Sequence, residues 1–316
     1  IPSNGIVYQK GQGLSSGKVI SVGPSRTINV REVLENTTYY FAIFAYNGSG
    51  SNIQYAQVNP TLGTVTTPEA SNTVYYNNID TNAWNFITQL NTLISPHTFI
   101  SYSTYSGTMV PVLYERDTIN GGGVINCEYS GVTTTYVPPF SFGSANYNRE
   151  HALPRSWMPT GGSTNAPEGA DFHNLIFTHA TPNQNRSNNP LGIVVNPTKV
   201  FGDSKLGLDA TGKLVFEPMD RAKGDVARAM FYQMISYNGK QGNWGLDYLL
   251  TLGPTQDQNI LKLWHQQDPP DKFERTKNAY IASLQNNRNP FIDNPGWVQC
   301  INFDSLVKTL NCGDIS

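Results

Sequence analysis

Hydrophobic positions along this chain follow two different periods, and the change falls near residue 68. From Val33 to Gly50 the run VLENTTYYFAIFAYNGSG alternates with period two. Tyr39, Phe41, Ile43 and Ala45 fall on one face, and Tyr40, Ala42, Phe44 and Tyr46 on the other. ENT and NGSG at its two ends are turn chemistry. GIVYQ, GKVISV and QVNPTLGTVTT are further β-type runs, with no helical period among them. The stretch TTPEASNTVYYNN, Thr66 to Asn78, reads as a linker marked by Pro68 and a polar cluster. Beyond it the period becomes helical. Asp80 is suited to cap TNAWNFITQLNTLIS, where Trp84, Ile87, Leu90 and Ile94 form a stripe that Pro96 ends. Val226, Met230, Met234 and Tyr237 form another stripe in GDVARAMFYQMISY. QDQNILKLWHQ and FERTKNAYIASLQNN read as two more helices, and residues 98–180 as loops with short strands. Such stripes are core faces rather than sites. The pattern predicts an all-β region over residues 1–68 and an α+β domain over 69–316.

Composition narrows the setting. Of 316 residues, 38% are hydrophobic and only 14% charged, enough apolar material for a core and too little charge for disorder. The net charge of −2 excludes a globally basic nucleic-acid binder, so a polyanion must be met by a local patch or a metal. No apolar run approaches the roughly 20 residues that span a bilayer. The chain starts at Ile1 without a leader-like segment, which suggests a piece of something longer. Cys300 and Cys312 are close enough in sequence to pair, leaving Cys127 alone; three ordinary thiols are the alternative, and none has zinc-site spacing.

The chemistry gathers in two segments. NREHALPRSW, Asn148 to Trp157, sets Glu150 beside His151, then a Pro and Arg155. Downstream, DFHNLIFTHA suits a strand with apolar Phe172, Leu175 and Phe177, and TPNQNRSN suits a helix start carrying Asn183 and Arg186. A hairpin followed by a helix brings its first strand beside that helix, so Glu150 and Asn183 can share one ion while His151 faces a substrate. Neighbours on an extended chain point in opposite directions, which suits one on the metal and the other on a water. A carboxylate and an amide oxygen are ligands for hard Mg²⁺, with Mn²⁺ or Ca²⁺ accepted by the same oxygens. A neutral imidazole outside that shell can take a proton, and an arginine can balance developing phosphate charge. Asn183 also reads as a plain helix cap. His173 and His179 read as structural, DPPD (Asp268 to Asp271) as a rigid start to a helix, and Arg288 with Asp293 as a brace.

NREHALPRSW, ADFHNLIF, NQNRSN, RAKGDVARAMFY and NRNPFIDNPGW, in this order, resemble the endonuclease I family, over about Tyr75 to Trp297. The resemblance implies a ββα-metal (His-Me finger) core with surrounding helices, in a secreted or periplasmic nuclease. It implies sequence-non-specific, Mg²⁺-dependent cleavage of DNA, and in many members RNA, leaving 5′-phosphate ends. Carried over, His151 is the general base, and Glu150 and Asn183 are the metal ligands. A backbone carbonyl within Glu168 to Asp171 is expected to orient His151. Some relatives carry the transition-state arginine in a cysteine-bearing insertion absent here, so Arg155 and Arg186 are its candidates; a structural role is the alternative for Arg186. A catalytically silent nucleic-acid or surface-binding module on the same scaffold is the alternative function. Val33, Thr37, Tyr39, Phe41, Ile43, Ala45 and Asn47 resemble the later strands of a fibronectin type III sandwich. A whole module takes about 100 residues. A partial one would bare its inner face, so it is expected to contact the nuclease domain or another protein.

Overall fold

The computed structural model describes residues 1–14, 17–25, 28, 30, 38–67, 72–114, 123–136, 140–238, 252 and 255–309. They fall into two compact units that divide after Tyr75. Val33 and Thr37 of the fibronectin-like pattern, and Pro68 of the linker, lie outside the described residues.

The first unit holds short antiparallel pairs. Thr38–Ile43 runs against Thr61–Thr66, with Tyr39 opposite Val65 and Phe41 opposite Gly63. Alternation survives in part: Tyr39 and Phe41 are half-buried while Tyr40 between them is exposed. Ile43, Leu62 and Val65 are also exposed. Tyr46–Asn47 pairs with Gln54–Tyr55. The turn between them needs glycine at Gly48, where φ is 78° and a Cβ would sit 2.4 Å from the Asn52 carbonyl oxygen. The run GIVYQ forms no strand. Its backbone turns at Gly5, whose N–H donates to the Ile53 carbonyl instead of to a partner strand.

The second unit is α+β and built around one helix, Asp220–Ser236. The expected stripe of Val226, Met230, Met234 and Tyr237 is wholly buried, but so are Ala227, Phe231, Tyr232 and Ile235. A helix buried all round is a core helix, not an amphipathic cover. Phe86–Ile94 packs on it, and Asn91 and Ser95 donate to the carbonyls of Ile235 and Ser236 at 2.6 and 2.7 Å. Gln258–Gln267 packs against it as well. Lys272–Gln285 opens on Asp271, whose carboxylate accepts from the Glu274 N–H, so the DPPD segment is a helix start as expected.

Three expectations shift. Asp80 does not cap the first long helix; it accepts from Asn82 N–H in a turn, and the helix begins at Phe86. Trp84 therefore stands before the helix and is 90% exposed rather than on its buried stripe. The strand expected from Asp171 starts only at Leu175, because Asp171 captures the His173 N–H and winds Phe172–Asn174 into a 3₁₀ turn. A three-stranded antiparallel sheet, Asn196–Phe201, Ser204–Leu208 and Leu214–Glu217, was not foreseen. One of its two edge strands, Asn196–Phe201, is largely exposed, so no buried face marks that strand in the sequence.

The two chemistry-bearing segments meet. Tyr147–His151 pairs antiparallel with Leu175–His179, with His151 opposite Leu175 and Glu150 opposite Ile176. The helix Ala180–Arg186 follows at once and packs on both strands.

Candidate active site

His151 ends the first strand of this hairpin and is buried. Its Nε2 lies 2.8 Å from the Gly169 carbonyl oxygen, inside the expected window of 168–171. A carbonyl can only accept, so Nε2 carries the hydrogen and Nδ1 keeps the lone pair of the neutral ring. Burial, against the opposing pull of the Gly169 carbonyl and aided by Arg155, Arg186 and Arg149, lowers the imidazole to about 4. At neutral pH the ring is a base, not a cation.

The Gly169 carbonyl is itself anchored. A Cβ at Gly169 would sit 2.2 Å from the Ser163 carbonyl oxygen, so only glycine permits the approach. Next to it, Glu168 is buried and accepts from the N–H and hydroxyl of Thr160. Asp171 accepts from Tyr232 at 2.7 Å, Tyr237 at 2.6 Å and Gln285 at 3.0 Å. Burial would raise the Asp171 carboxyl, but His97, His173 and the two hydroxyls together hold it below its ordinary value. On the other side of His151, Asn174 clamps the chain: its carbonyl accepts from Ala152 N–H and its side chain from Leu153 N–H at 2.8 Å.

Glu150 points to the opposite face and is also buried. Tyr129 Oη at 2.8 Å and Arg186 Nη1 at 2.9 Å both donate to its Oε1. Burial pushes this carboxyl up, opposed by the Arg186 cation and the Tyr129 hydroxyl. Arg186, 1% exposed, also donates to the carbonyls of His151 and Ala152 at 3.0 and 2.7 Å. It is thus a brace binding the site helix to the end of the first strand. Asn183 lies one turn earlier on that helix, half-buried, and its side chain makes no hydrogen bond to a described residue.

Among the described residues no three His, Cys, Asp or Glu side chains cluster as a ligand set. A cation here would therefore have one carboxylate and one amide oxygen, a donor set that fits hard Mg²⁺ with water filling the other positions. Both side-chain donors to Glu150 converge on Oε1, so neither occupies Oε2.

Arg155 is exposed, and its Nε donates to the Gly162 carbonyl at 2.5 Å. Among the described residues this is the hydrogen bond that tethers its guanidinium. Three contributors carry weak sequence signals. Tyr129 sits far upstream in a loop. Arg149 lies inside NREHALPRSW but is outweighed there by the acid and the histidine. Tyr102, in SYSTYSG, resembles any surface aromatic. In the fold its ring stacks on His151, with centroids 5.4 Å apart and planes 13° from parallel. Arg149 lies with its guanidinium carbon 4.3 Å from the Tyr102 ring centre and 4.5 Å from that of Phe142, and donates to the Tyr102 carbonyl at 2.7 Å. Among the described residues the His173 ring makes no hydrogen bond to Glu150, His151, Arg155, Asn183 or Arg186. It lies against Tyr232 with Nε2 3.2 Å from the Asn287 carbonyl oxygen, a structural place. His179 contacts the Thr134 hydroxyl at 2.8 Å. Arg288 and Asp293 pair at 2.6 Å, with Tyr76 donating to the same carboxylate. Cys127 is free and buried and Cys300 is disulfide-bonded; Cys312 lies outside the described residues.

Comparison with known proteins identifies the family. The family model described as Endonuclease I matches residues 74–296, which hold every site residue named above. An extracellular ribonuclease of Bacillus amyloliquefaciens is 29% identical over 82% of this chain and 88% of its own length. An extracellular ribonuclease of Bacillus subtilis (strain 168) is 31% identical over 66% of this chain and 70% of its own. A periplasmic deoxyribonuclease of Aeromonas hydrophila is 28% identical over 50% of this chain and 60% of its own.

Proposed function

Because this chain belongs to the endonuclease I family, we propose that it is an extracytoplasmic, metal-dependent endonuclease that hydrolyses phosphodiester bonds of DNA and RNA without sequence preference. The observation that carries the reading is the fixed imidazole of His151, with Nε2–H spent on Gly169 and Nδ1 left basic, beside the oppositely directed Glu150. Relatives named as ribonucleases and as deoxyribonucleases, extracellular or periplasmic, support both substrates and the location. No helix of the described residues is long and apolar enough to cross a membrane.

His151 Nδ1 takes a proton from a water as that water attacks phosphorus. The bond from phosphorus to the 3′-oxygen breaks, leaving a 5′-phosphate; the departing 3′-oxygen takes a proton from solvent water to become a 3′-hydroxyl, and His151 returns its proton to solvent. Glu150 and Asn183 would hold Mg²⁺, in the ββα-metal arrangement of strand, strand and helix. Bound there, it supplies Lewis acidity toward the phosphate and stabilises the leaving oxygen. Arg155, exposed and four residues beyond His151, contacts phosphate charge. Arg186 acts through Glu150, keeping that carboxylate oriented and compensated. All of this chemistry addresses the sugar–phosphate backbone, which accounts for sequence-independent cleavage. The strands before residue 68 serve as an accessory module of fibronectin type III kind, a reading supported by the Thr38–Ile43 and Thr61–Thr66 pair.

The test is digestion of supercoiled plasmid and of RNA, in Mg²⁺ and in EDTA, beside His151→Ala and beside residues 69–316 alone. Metal-dependent cleavage by wild type and by the fragment, lost in His151→Ala, is expected. Intact nucleic acid with folded, metal-supplied wild type would favour a silent scaffold. Cleavage surviving in His151→Ala would remove the base assignment, and an inactive but folded fragment would make the N-terminal strands part of the active unit.

A further inference from the structure

We propose that Tyr102 is a positioning residue for the general base, its ring covering one face of the His151 imidazole and fixing the direction of Nδ1. The inference rests on the reading of His151 as that base.

One hydrogen bond cannot hold a ring in place. The contact between Nε2 and the Gly169 carbonyl ties one edge of His151, but the ring can still rock about that contact. A second restraint, on the face, removes this freedom. The near-parallel Tyr102 ring, 13° off and 5.4 Å away, is placed to supply it.

Tyr102 is in turn locked from the strand that bears His151. Arg149 and His151 are two residues apart on Tyr147–His151, so their side chains leave the same face. Arg149 lies against the Tyr102 ring and donates to the Tyr102 carbonyl at 2.7 Å. Phe142 meets the guanidinium at 4.5 Å. Cation–π contacts of a partly desolvated arginine stabilise such a packet. The strand thus carries both the base and the clamp for the ring that covers it. Tyr102 itself starts a short 3₁₀ turn, Tyr102–Thr104, outside the hairpin; Arg149 ties it to the base strand, and Tyr105 just after it donates to the Leu175 carbonyl of the second strand at 2.6 Å.

Productive geometry is needed within about 0.5 Å and 10–20°. A misplacement of about 1 Å costs on the order of 100-fold in rate. Loss of a positioning contact therefore appears in kcat and leaves KM, which reports substrate binding, largely alone.

Steady-state cleavage of a defined oligonucleotide duplex by the whole chain tests this with Tyr102→Ala, Tyr102→Leu and Tyr102→Phe beside His151→Ala. Loss of the planar ring in the Ala and Leu variants is expected to lower kcat roughly 10- to 100-fold, with KM within about threefold of wild type. Phe, which keeps the ring and drops the hydroxyl, is expected to recover kcat to within about threefold. Leu keeps most of the volume, so it reports even if the Ala variant fails to fold. Wild-type kcat in folded Leu or Ala variants overturns the proposal. So does a change confined to KM, which would make Tyr102 a substrate contact, or a Phe variant as slow as Leu, which would assign the effect to the hydroxyl. If His151→Ala itself keeps wild-type kcat, the base assignment fails first, and that outcome is distinct from normal Tyr102 variants beside a dead His151→Ala.

Discussion

At the scale of single residues, the site rests on a buried ion pair. Arg186 and Glu150 are both out of solvent, 2.9 Å apart, and Arg186 also satisfies two strand-end carbonyls. Desolvating both charges is costly, and the pair persists because each partner is compensated by hydrogen bonds. Removing one partner leaves the other buried and alone. Arg186→Met is expected to destabilise the fold by roughly 3–5 kcal/mol. Urea unfolding of wild type and variant measures this, and a difference under about 1 kcal/mol would mean that Arg186 is not the brace described. Much of this residue-level design was legible. Glu150, His151, Asn183 and Arg186 stood out because their types suit the chemistry and their spacing fits a hairpin and helix. Tyr129, Tyr102 and Arg149 did not, because what marks them is proximity and not type.

At the scale of elements, the segment from Asp171 to Leu175 decides where His151 sits. Asn174 makes three hydrogen bonds with Ala152 and Leu153, closing the loop after His151. Asn174→Ala leaves the buried Leu153 N–H without its side-chain acceptor. It is expected to cost about 1–3 kcal/mol. It should also slow cleavage, since the loop it closes carries the end of the base strand. Thermal melts and kcat read together check this; a variant with unchanged melting and unchanged kcat would show the clamp to be dispensable. Periodicity found four helices: three bury a stripe, and Asp220–Ser236 is buried all round yet keeps a helical run of apolar residues. It misplaced the start of the first helix and of the second hairpin strand. There a single side chain, Asp80 or Asp171, diverts the backbone by capturing a nearby N–H. Such local competition is invisible to a period averaged over a dozen residues.

At the scale of the molecule, buried neutral histidines tie stability to pH. Burial holds His173 at about 4 against the attraction of Asp171, with Lys277 and His97 acting in the same direction as burial. His265 is held at about 4 chiefly by burial, with Arg228 beside it. Above the unfolded value near 6.5 both states are neutral and these residues contribute their full stability. As pH falls from 6.5 towards 4 the unfolded chain takes up protons that the folded chain refuses, so stability declines. The slope is roughly 1.4 kcal/mol per pH unit for each such histidine. His173→Gln is expected to flatten the pH dependence of the melting temperature between pH 6.5 and 4 by about one proton's share. An unchanged slope would mean that His173 charges freely in the folded protein.

The sequence by itself determined the two grammars, β before residue 68 and α+β after it, because hydrophobic period reports which face of each element is buried. It also determined the family and the candidates for base and ligands, His151, Glu150 and Asn183, because those depend on residue type in a fixed order. Only the tertiary structure decided which carbonyl orients His151, which cation compensates Glu150, and which ring covers the imidazole. Gly169, Arg186 and Tyr102 reach the site from 18, 36 and 49 residues away from their partners. Contacts over such separations are set by how the elements pack around Asp220–Ser236, and no local pattern encodes them.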